Sequence, residues 1–494
     1  MPHEADHGLA TLIERLADAR VVALGDVMLD RFVEGAVGRI SPEAPIPVLR
    51  VERERAMLGG AANVLANLAA LGVRTGFVAV VGDDRAGAEL AELFRAVPGA
   101  DATVIVEPGR TTPVKTRFVA GGQQLLRADR ETTLPIASTT AARVRAAAVA
   151  ALESADALVL SDYAKGTLTG PLLAELIDAA VRQGKPVLVD PKGRDVGRYR
   201  GATLVKPNRA ELALATGLPV HDDAAVLAAA RDFLARCGCA GLAVTLGAEG
   251  MLLLDRDGGV RRLPGRRAEV FDVAGAGDTV LATLAAATAA GGGLDEAARL
   301  ATLAGSVVVG RRGVATADRA DLRRALAAER RFAPEAKLFD APGALRLVEA
   351  ARHEGRRIGF TNGCFDILHT GHVSLLARAR GACDLLVVGV NSDASIRRLK
   401  GPERPVNDER TRCLVLASLA SVDAVVPFEE DTPLALIERL RPDLLVKGAD
   451  YALEQVVGGD LVRSWGGEVM LAELVPGVST TATITRIGAT GGLR

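Results

Sequence analysis

From Val21 to about Gly313, short apolar runs alternate with longer amphipathic segments rich in Ala and Leu. That is the pattern of an α/β domain, in which helices pack on a largely parallel sheet. It predicts strands at 21–24, 76–81, 157–160, 186–189, 204–206 and 242–246. Each run gives way to polar or glycine residues: Asp26, Gly82, Ser161-Asp162, Asp190, Asn208 and Gly247. Ligands of open parallel sheets bind beyond the carboxyl ends of the strands, so these residues mark one working face. From about Ala315 to Arg357 charge takes over, with Arg323-Arg324, Glu329-Arg330-Arg331 and a break at Pro334; residues 333–357 are expected to be a linker. A second α/β series follows, with strands predicted at 358–360, 385–390, 424–426, 444–446 and 469–471. No repeat relates the two series, so the chain reads as two unlike α/β domains, 1–332 and 358–494.

A length of 494 residues is enough for two such cores. The 60 Lys and Arg nearly cancel the 61 Asp and Glu, which removes any net field toward nucleic acid or an anionic membrane. Aromatic residues make up only 3%, too few for a platform that stacks single-stranded bases. The start of the chain is polar rather than basic and then apolar, unlike a secretory signal. The uncharged run 279–294 is shorter than the roughly 20 residues that cross a bilayer, and is expected to be a buried helix. Five cysteines, an odd number without a framework, point to reduced thiols and a cytoplasmic protein. Cys237 and Cys239 could form half of a zinc site, but no second pair follows at finger-like spacing.

The most specific pattern in the first half is Asp272-Val273-Ala274-Gly275-Ala276-Gly277-Asp278, running directly into the apolar segment at Thr279. Amides at a glycine-rich helix start can hold an anion, and Asp278 is placed to take a proton or, alternatively, to cap the helix. This segment and Gly59-Gly60-Ala61-Ala62-Asn63 resemble the two signatures of the ribokinase-like (PfkB) carbohydrate kinases. The resemblance implies a ribokinase-like α/β domain with a small β lid, Asp278 as catalytic base and Gly275, Ala276 and Gly277 as anion hole. Gly59 and Gly60 would let backbone approach a sugar, with Asn63 on a hydroxyl. Asp26 and Asp30 could accept from sugar hydroxyls or form a solvated turn. Asn208-Arg209-Ala210-Glu211 resembles the family's Asn-x-x-Glu element, which implies magnesium organised by Glu211 through water. Thr245 and Gly247 fall in a segment resembling its nucleotide loop. Lys115 and Arg117, two apart in a predicted strand, and Arg127 form either a phosphate site or a solvated basic face. Lys192 is a further candidate for charge near the transferred phosphoryl group.

The second half opens with Phe360-Thr361-Asn362-Gly363-Cys364-Phe365-Asp366 and reaches His369-Thr370-Gly371-His372. Imidazoles at a helix start can donate to an α-phosphate gaining charge; a zinc pair and a plain capped helix are the alternatives. The pattern looks like the signature of the cytidylyltransferase-like nucleotidyltransferases, implying a Rossmann-like fold with His369 and His372 catalytic. Thr361, Gly363, Phe365, Asn391, Asp393, Lys400, Arg412, Lys447, Ser479 and Thr480 would then serve ATP and its phosphates. Val478-Ser479-Thr480-Thr481 departs from the commoner Ile-Ser-Ser-Thr form, so which hydroxyl meets phosphate stays open.

The order of the two domains, together with Asp190-Pro191-Lys192, Arg404-Pro405-Val406-Asn407 and Glu429-Glu430-Asp431-Thr432-Pro433, resembles the bifunctional heptose 7-phosphate kinases and heptose 1-phosphate adenylyltransferases of lipopolysaccharide-core synthesis. That resemblance implies heptose phosphates and ATP as substrates, Mg2+ with ATP and no organic cofactor, with monovalent-cation dependence left open. It also implies a cytoplasmic homodimer, a separate heptose bisphosphate phosphatase as pathway partner, and no nucleic-acid or membrane partner. A CTP-using enzyme for another sugar or alditol phosphate, and a nucleotide sensor with degenerate sites, are the alternatives.

Overall fold

A computed structural model describes residues 2–266, 270–311, 313–332, 334–449 and 452–472. Glu4–Leu326 forms one compact unit and Ala327–Arg494 belongs to the other.

The first unit contains thirteen named strands: β1 Arg20–Gly25, β2 Val27–Ile40, β3 Pro47–Gly60, β4 Arg74–Gly82, β5 Ala100–Glu107, β6 Val114–Ala120, β7 Gln123–Arg130, β8 Ala157–Ser161, β9 Val187–Asp190, β10 Leu204–Val205, β11 Gly241–Thr245, β12 Gly250–Asp255 and β13 Val260–Pro264. Nine of them make the main sheet, in the order β13-β12-β11-β10-β9-β8-β1-β4-β5. From β11 to β5 every pairing is parallel, and β12 and β13 extend the edge as antiparallel strands. β1 and β8 are buried along nearly their whole length, as strands covered by helices on both faces must be, which is why 21–24 and 157–160 are apolar runs. The expected buried helix is Ala276–Ala289, whose residues from Asp278 to Ala287 are all buried. Its small side chains admit the helix Ala61–Ala70 and bring two polar motifs into contact.

A second sheet, β3-β2-β6-β7, is the small lid. β2 and β3 are antiparallel and β2 and β6 parallel. Apolar periodicity does not locate β2 or β3, because charges such as Arg31, Glu34, Arg50, Glu52 and Arg55 occupy much of a partly exposed ribbon.

The second unit is a five-stranded parallel sheet of β14 Ile358–Gly363, β15 Leu385–Asn391, β16 Ala424–Phe428, β17 Leu444–Gly448 and β18 Glu468–Ala472, in the order β16-β15-β14-β17-β18. The order reverses at β14 and β17, so the switch point that hosts ligands in such sheets lies at their carboxyl ends.

The expected linker is corrected here. The helix Ala341–His353 buries Ala344, Val348 and Ala351 against Ile358 and Phe360 in the second unit's core. The Phe339 amide also donates to Val425 O at 3.0 Å. The apolar stripe at 344, 348 and 351 has helical spacing and was hidden by the charges around it. The division between units falls at 326/327, within the helix Arg319–Phe332. Among the described residues, no helix is long and apolar enough to cross a membrane. None holds three or more His, Cys, Asp or Glu in a metal-binding group; Cys237 and Cys239 are buried free thiols.

Candidate active sites

In the first unit, residues following β8 to β11 and the start of Ala276–Ala289 line a cavity of about 1020 Å³. That volume suits a nucleotide-sized ligand. Asp190, Lys192, Lys206, Asn208, Glu211, Thr245, Gly247, Gly275, Ala276, Gly277 and Asp278 all border it. Gly275 is the N-cap residue, with φ of 77°. A Cβ there would come within 2.6 Å of the Asn63 amide nitrogen, so glycine is required both for the backbone and for Asn63's approach.

Asn63 Nδ2 donates to Asp278 Oδ2 at 2.8 Å, and the Tyr163 hydroxyl donates to Oδ1 at 2.6 Å. Asp278 is therefore not a helix cap; both carboxylate oxygens are held by residues from other elements. Burial raises its pKa, while Tyr163, Asn63 and the charge of Lys206 pull it back; the net direction is upward. A buried carboxylate held by donors is suited to accept a hydroxyl proton. Asn67 continues the network: its amide donates to Asn63 O at 2.8 Å, and its Oδ1 accepts from the Thr279 hydroxyl at 2.8 Å.

Lys206, which sequence reasoning did not select, is buried and pairs with Asp190 at 3.1 Å. Burial lowers its pKa, but Asp190, Glu211 and Asp278 outweigh that and keep it an ammonium. Burial pushes the Asp190 carboxyl up against the pull of Lys206. A Cβ on Gly277 would lie 3.7 Å from Lys206 Nζ, which places a fixed positive charge beside the glycine-rich helix start.

Several expected sugar and metal contacts have other structural duties. The Asp26 carboxylate accepts the backbone N–H groups of Tyr163, Lys165 and Thr167, each at 2.9 Å, and is almost wholly buried. It anchors a loop instead of facing a sugar. Asn63 commits one amide proton to Asp278, so its first duty is to that carboxylate. Gly59 and Gly60 make room for protein: added Cβ atoms would meet Asp30 Oδ2 at 2.7 Å and Asp26 O at 2.4 Å. Asn208 and Glu211 form a reciprocal capping box at the start of Arg209–Thr216, and Glu211 Oε1 also accepts from Lys192 Nζ at 2.9 Å. An Asn three residues before a Glu at a helix start is itself the capping-box signal.

The structure brings Lys115, Arg117 and Arg127 together, with Arg117 opposite Arg127 across β6 and β7. All three are paired: Arg117 with Asp30 at 2.8 Å, and Lys115 and Arg127 with Asp129 at 3.0 Å each. Arg117 also lies over the Phe32 ring at 5.2 Å.

In the second unit, His369 caps the helix Thr370–Gly381, directly beyond β14. The His369 and His372 rings stack with centroids 3.8 Å apart, and Phe365 lies 5.2 Å from His372. Burial pushes His372 down to about 4, helped by the nearby positive fields of His369 and Lys400; burial alone lowers His369. Both imidazoles are thus neutral near pH 7, with their Nδ1 atoms buried and, among the described residues, unpartnered. Asn362 Oδ1, at the end of β14, is likewise buried without a partner. Thr361 and Asn391 are buried toward the ends of β14 and β15, and Phe365 adopts a φ of 46°. Gly363 admits the Phe365 ring, 3.1 Å from where its Cβ would stand. Lys447 Nζ donates to Asn362 O at 3.2 Å. Lys400 ends the helix Asp393–Lys400 with its side chain exposed.

Arg412 is corrected. It does not close over a triphosphate: its side chain is wholly buried, Nε donates to Asn407 O, Nη1 to Cys364 O and Asn391 O, and Nη2 to Asp393 Oδ1 at 2.7 Å. Arg412 and Asp393 thereby tie the His-bearing loop to β15. Asp366, missed at the sequence level as a site residue, accepts Arg404 Nε at 2.5 Å and the amides of Val406 and Asn407 at 2.8 and 3.0 Å. Ser479 and Thr480 lie outside the described residues.

Two units with these sites define a carbohydrate kinase joined to a nucleotidyltransferase, and comparison with known proteins agrees. The pfkB family carbohydrate kinase model matches residues 18–320, and the cytidylyltransferase-like model matches 360–485. The chain is 56% identical to the bifunctional protein HldE of Rhodospirillum rubrum over 97% of both chains. It is 52% identical to that of Caulobacter vibrioides over 98% of this chain and 100% of the other. Among solved structures, Arabidopsis thaliana ribokinase complexed with ribose and ATP is 22% identical, with a TM-score of 0.51, over 62% of this chain and 98% of that one. Escherichia coli phosphofructokinase-2 in complex with potassium is 21% identical, with a TM-score of 0.53, over 63% and 98%. These two similarities concern the fold. The chain belongs to the HldE family, whose members join a heptose kinase to an adenylyltransferase in ADP-heptose synthesis.

Proposed function

We propose that the first unit transfers the γ-phosphoryl group of ATP to the anomeric hydroxyl of heptose 7-phosphate, with Asp278 as the base. The hydroxyl proton passes to the Asp278 carboxylate, the new P–O bond forms at the anomeric oxygen, and ADP leaves. Amides of Gly275, Ala276 and Gly277, with Lys206 behind them, stabilise the charge on the moving group. Lys115, Arg117 and Arg127 receive the phosphate already on the sugar. ATP enters as its magnesium complex. The Asp190 and Glu211 carboxylates on the cavity wall, each already paired with a lysine, fit an ion that keeps most of its water. A monovalent cation activates this half, which a comparison of rates in potassium and tetramethylammonium buffers tests.

In the second unit the phosphate oxygen of heptose 1-phosphate attacks the α-phosphorus of ATP, the bond to the β-phosphate oxygen breaks, and pyrophosphate leaves. His369 and His372 donate hydrogen bonds to the α-phosphate as its charge grows, with Lys400 and Lys447 on the phosphates. Thr361, Asn391 and Asp393 lie on the nucleoside side. A separate phosphatase removes the 7-phosphate between the two steps, and the enzyme works in the cytoplasm as a homodimer.

The observation that carries this reading is Asp278, a buried carboxylate held by two neutral donors beside a glycine helix start. Mass spectrometry of products from ATP and heptose 7-phosphate, with and without a phosphatase, tests it. Heptose 1,7-bisphosphate alone, and ADP-heptose when phosphatase is added, are expected. Absence of the bisphosphate, or preference for CTP over ATP in the second step, would overturn it.

A further inference from the structure

The Tyr163 hydroxyl has one assigned partner, Asp278 Oδ1 at 2.6 Å, and its ring borders the same cavity. Its own loop is held unusually firmly. Asp26 accepts the amides of residues 163, 165 and 167, Asp162 accepts the amide of Ala164 at 2.8 Å, and Ala164 stands at a φ of 55°. Asp162 is in turn held by the Tyr199 hydroxyl at 2.7 Å. A strained alanine fixed by two carboxylates is a costly way to make a surface turn, and it places one side chain, Tyr163, on the proposed base.

We infer that Tyr163 is a positioning residue of the kinase, holding Asp278 ionised and aimed, and that Asp26 acts at the site only through it. This rests on Asp278 being the base. Asp278 is buried, and burial favours its neutral form, in which it could not accept a proton. Its two oxygens are met by Asn63 and Tyr163, both uncharged donors that stabilise the carboxylate without neutralising it. The groups facing Asp278 are therefore Asn63 and Tyr163 in direct contact, with Lys206 as the nearby cation and Asp30 and Asp190 as nearby carboxylates. Tyr163 keeps its proton throughout, because burial and Asp278 push its own pKa well above 10. The sugar proton goes to the carboxylate, and the phenol directs which lone pair remains to receive it.

The experiment is the kinase pH profile of the full-length Tyr163→Phe protein, which keeps the ring and the backbone bond to Asp26. Its kcat should fall about 10- to 100-fold, by analogy with losing a strong hydrogen bond to a charged group, with the KM for ATP within about twofold. The acid limb of the profile should move up by about one pH unit, because a bond that lowers the Asp278 pKa is gone. Replacing Tyr163 by 3,5-difluorotyrosine, a stronger donor of the same shape, should move that limb down. An unchanged limb in both variants would overturn the inference, as would a downward shift for Tyr163→Phe or an upward one for difluorotyrosine. If Asp278→Asn leaves the kinase active, the base assignment fails first, and the two failures are told apart.

Discussion

The imidazoles of His369 and His372 lie stacked, with centroids 3.8 Å apart and planes within 24° of each other. Two imidazolium ions could not share that spacing without strong repulsion, and burial disfavours charge on either ring. In the proposed mechanism the pair serves as neutral donors, each with one N–H to give, and no covalent intermediate is required.

A pH dependence follows. The transferase rate should lack a limb near 6.5 of the kind that an ordinary histidine would give. It should decline at lower pH, with the limb shifted down from the ordinary histidine value because burial lowers both rings, His372 to about 4. Stability moves in the same direction: the folded state resists a proton that the unfolded chain accepts near 6.5, so stability falls as pH drops from there through about 4. Pyrophosphate release and thermal melts across this range, compared with His372→Gln, measure both effects. The variant should lose part of the acid sensitivity of the melt.

The two activities should separate. Asp278→Asn should lower the kinase rate by about 10²-fold or more while sparing the transferase. His372→Ala should lower the transferase rate by about 10²- to 10³-fold while sparing the kinase. Separate assays of ADP and pyrophosphate on each purified variant check this; loss of both activities in one folded variant would contradict independent sites.

Arg412→Ala should act on stability. It leaves Asp393 and the carbonyls of Cys364, Asn391 and Asn407 without their shared donor. Breaking a buried charge pair of this kind costs about 3–5 kcal/mol, so the second unit's melting transition should drop before any ATP effect is measurable. Arg412→Lys should recover only part, because an ammonium cannot reproduce the planar fork. A variant with unaltered melting and a raised KM for ATP would restore the phosphate role expected from the sequence.

Asn208→Ala should cost about 1 kcal/mol by removing the cap on Arg209–Thr216. It should also raise the KM for ATP, because the same box fixes Glu211 at the cavity wall. Glu211→Gln keeps the shape and should affect magnesium dependence more than melting. Denaturant titration and rates at varied magnesium separate the two; identical behaviour of both variants would argue against a phosphate-side duty for Glu211.

The sequence by itself determined the two α/β series, because the covered stretches of parallel strands must be apolar, as 21–24 in β1, 157–160 in β8, 358–360 in β14 and 385–390 in β15 are. It also singled out Gly275 to Asp278 and His369 to His372 as candidates, since an anion-binding helix start needs contiguous residues and is therefore local in the chain. It did not reveal that Ala341–His353 belongs to a core, because only packing turns a stripe of three small or apolar residues into an anchor. Nor could it distinguish the duties of its charged residues. Arg412 and Lys400 are both basic, yet one is sealed among carbonyls and the other ends a helix in solvent. Asp26 and Asp278 are both strand-end or helix-start acids, yet one fixes a loop and the other receives Tyr163 from 115 positions away. Those assignments depend on burial and on partners distant in sequence, so only the tertiary structure decided them.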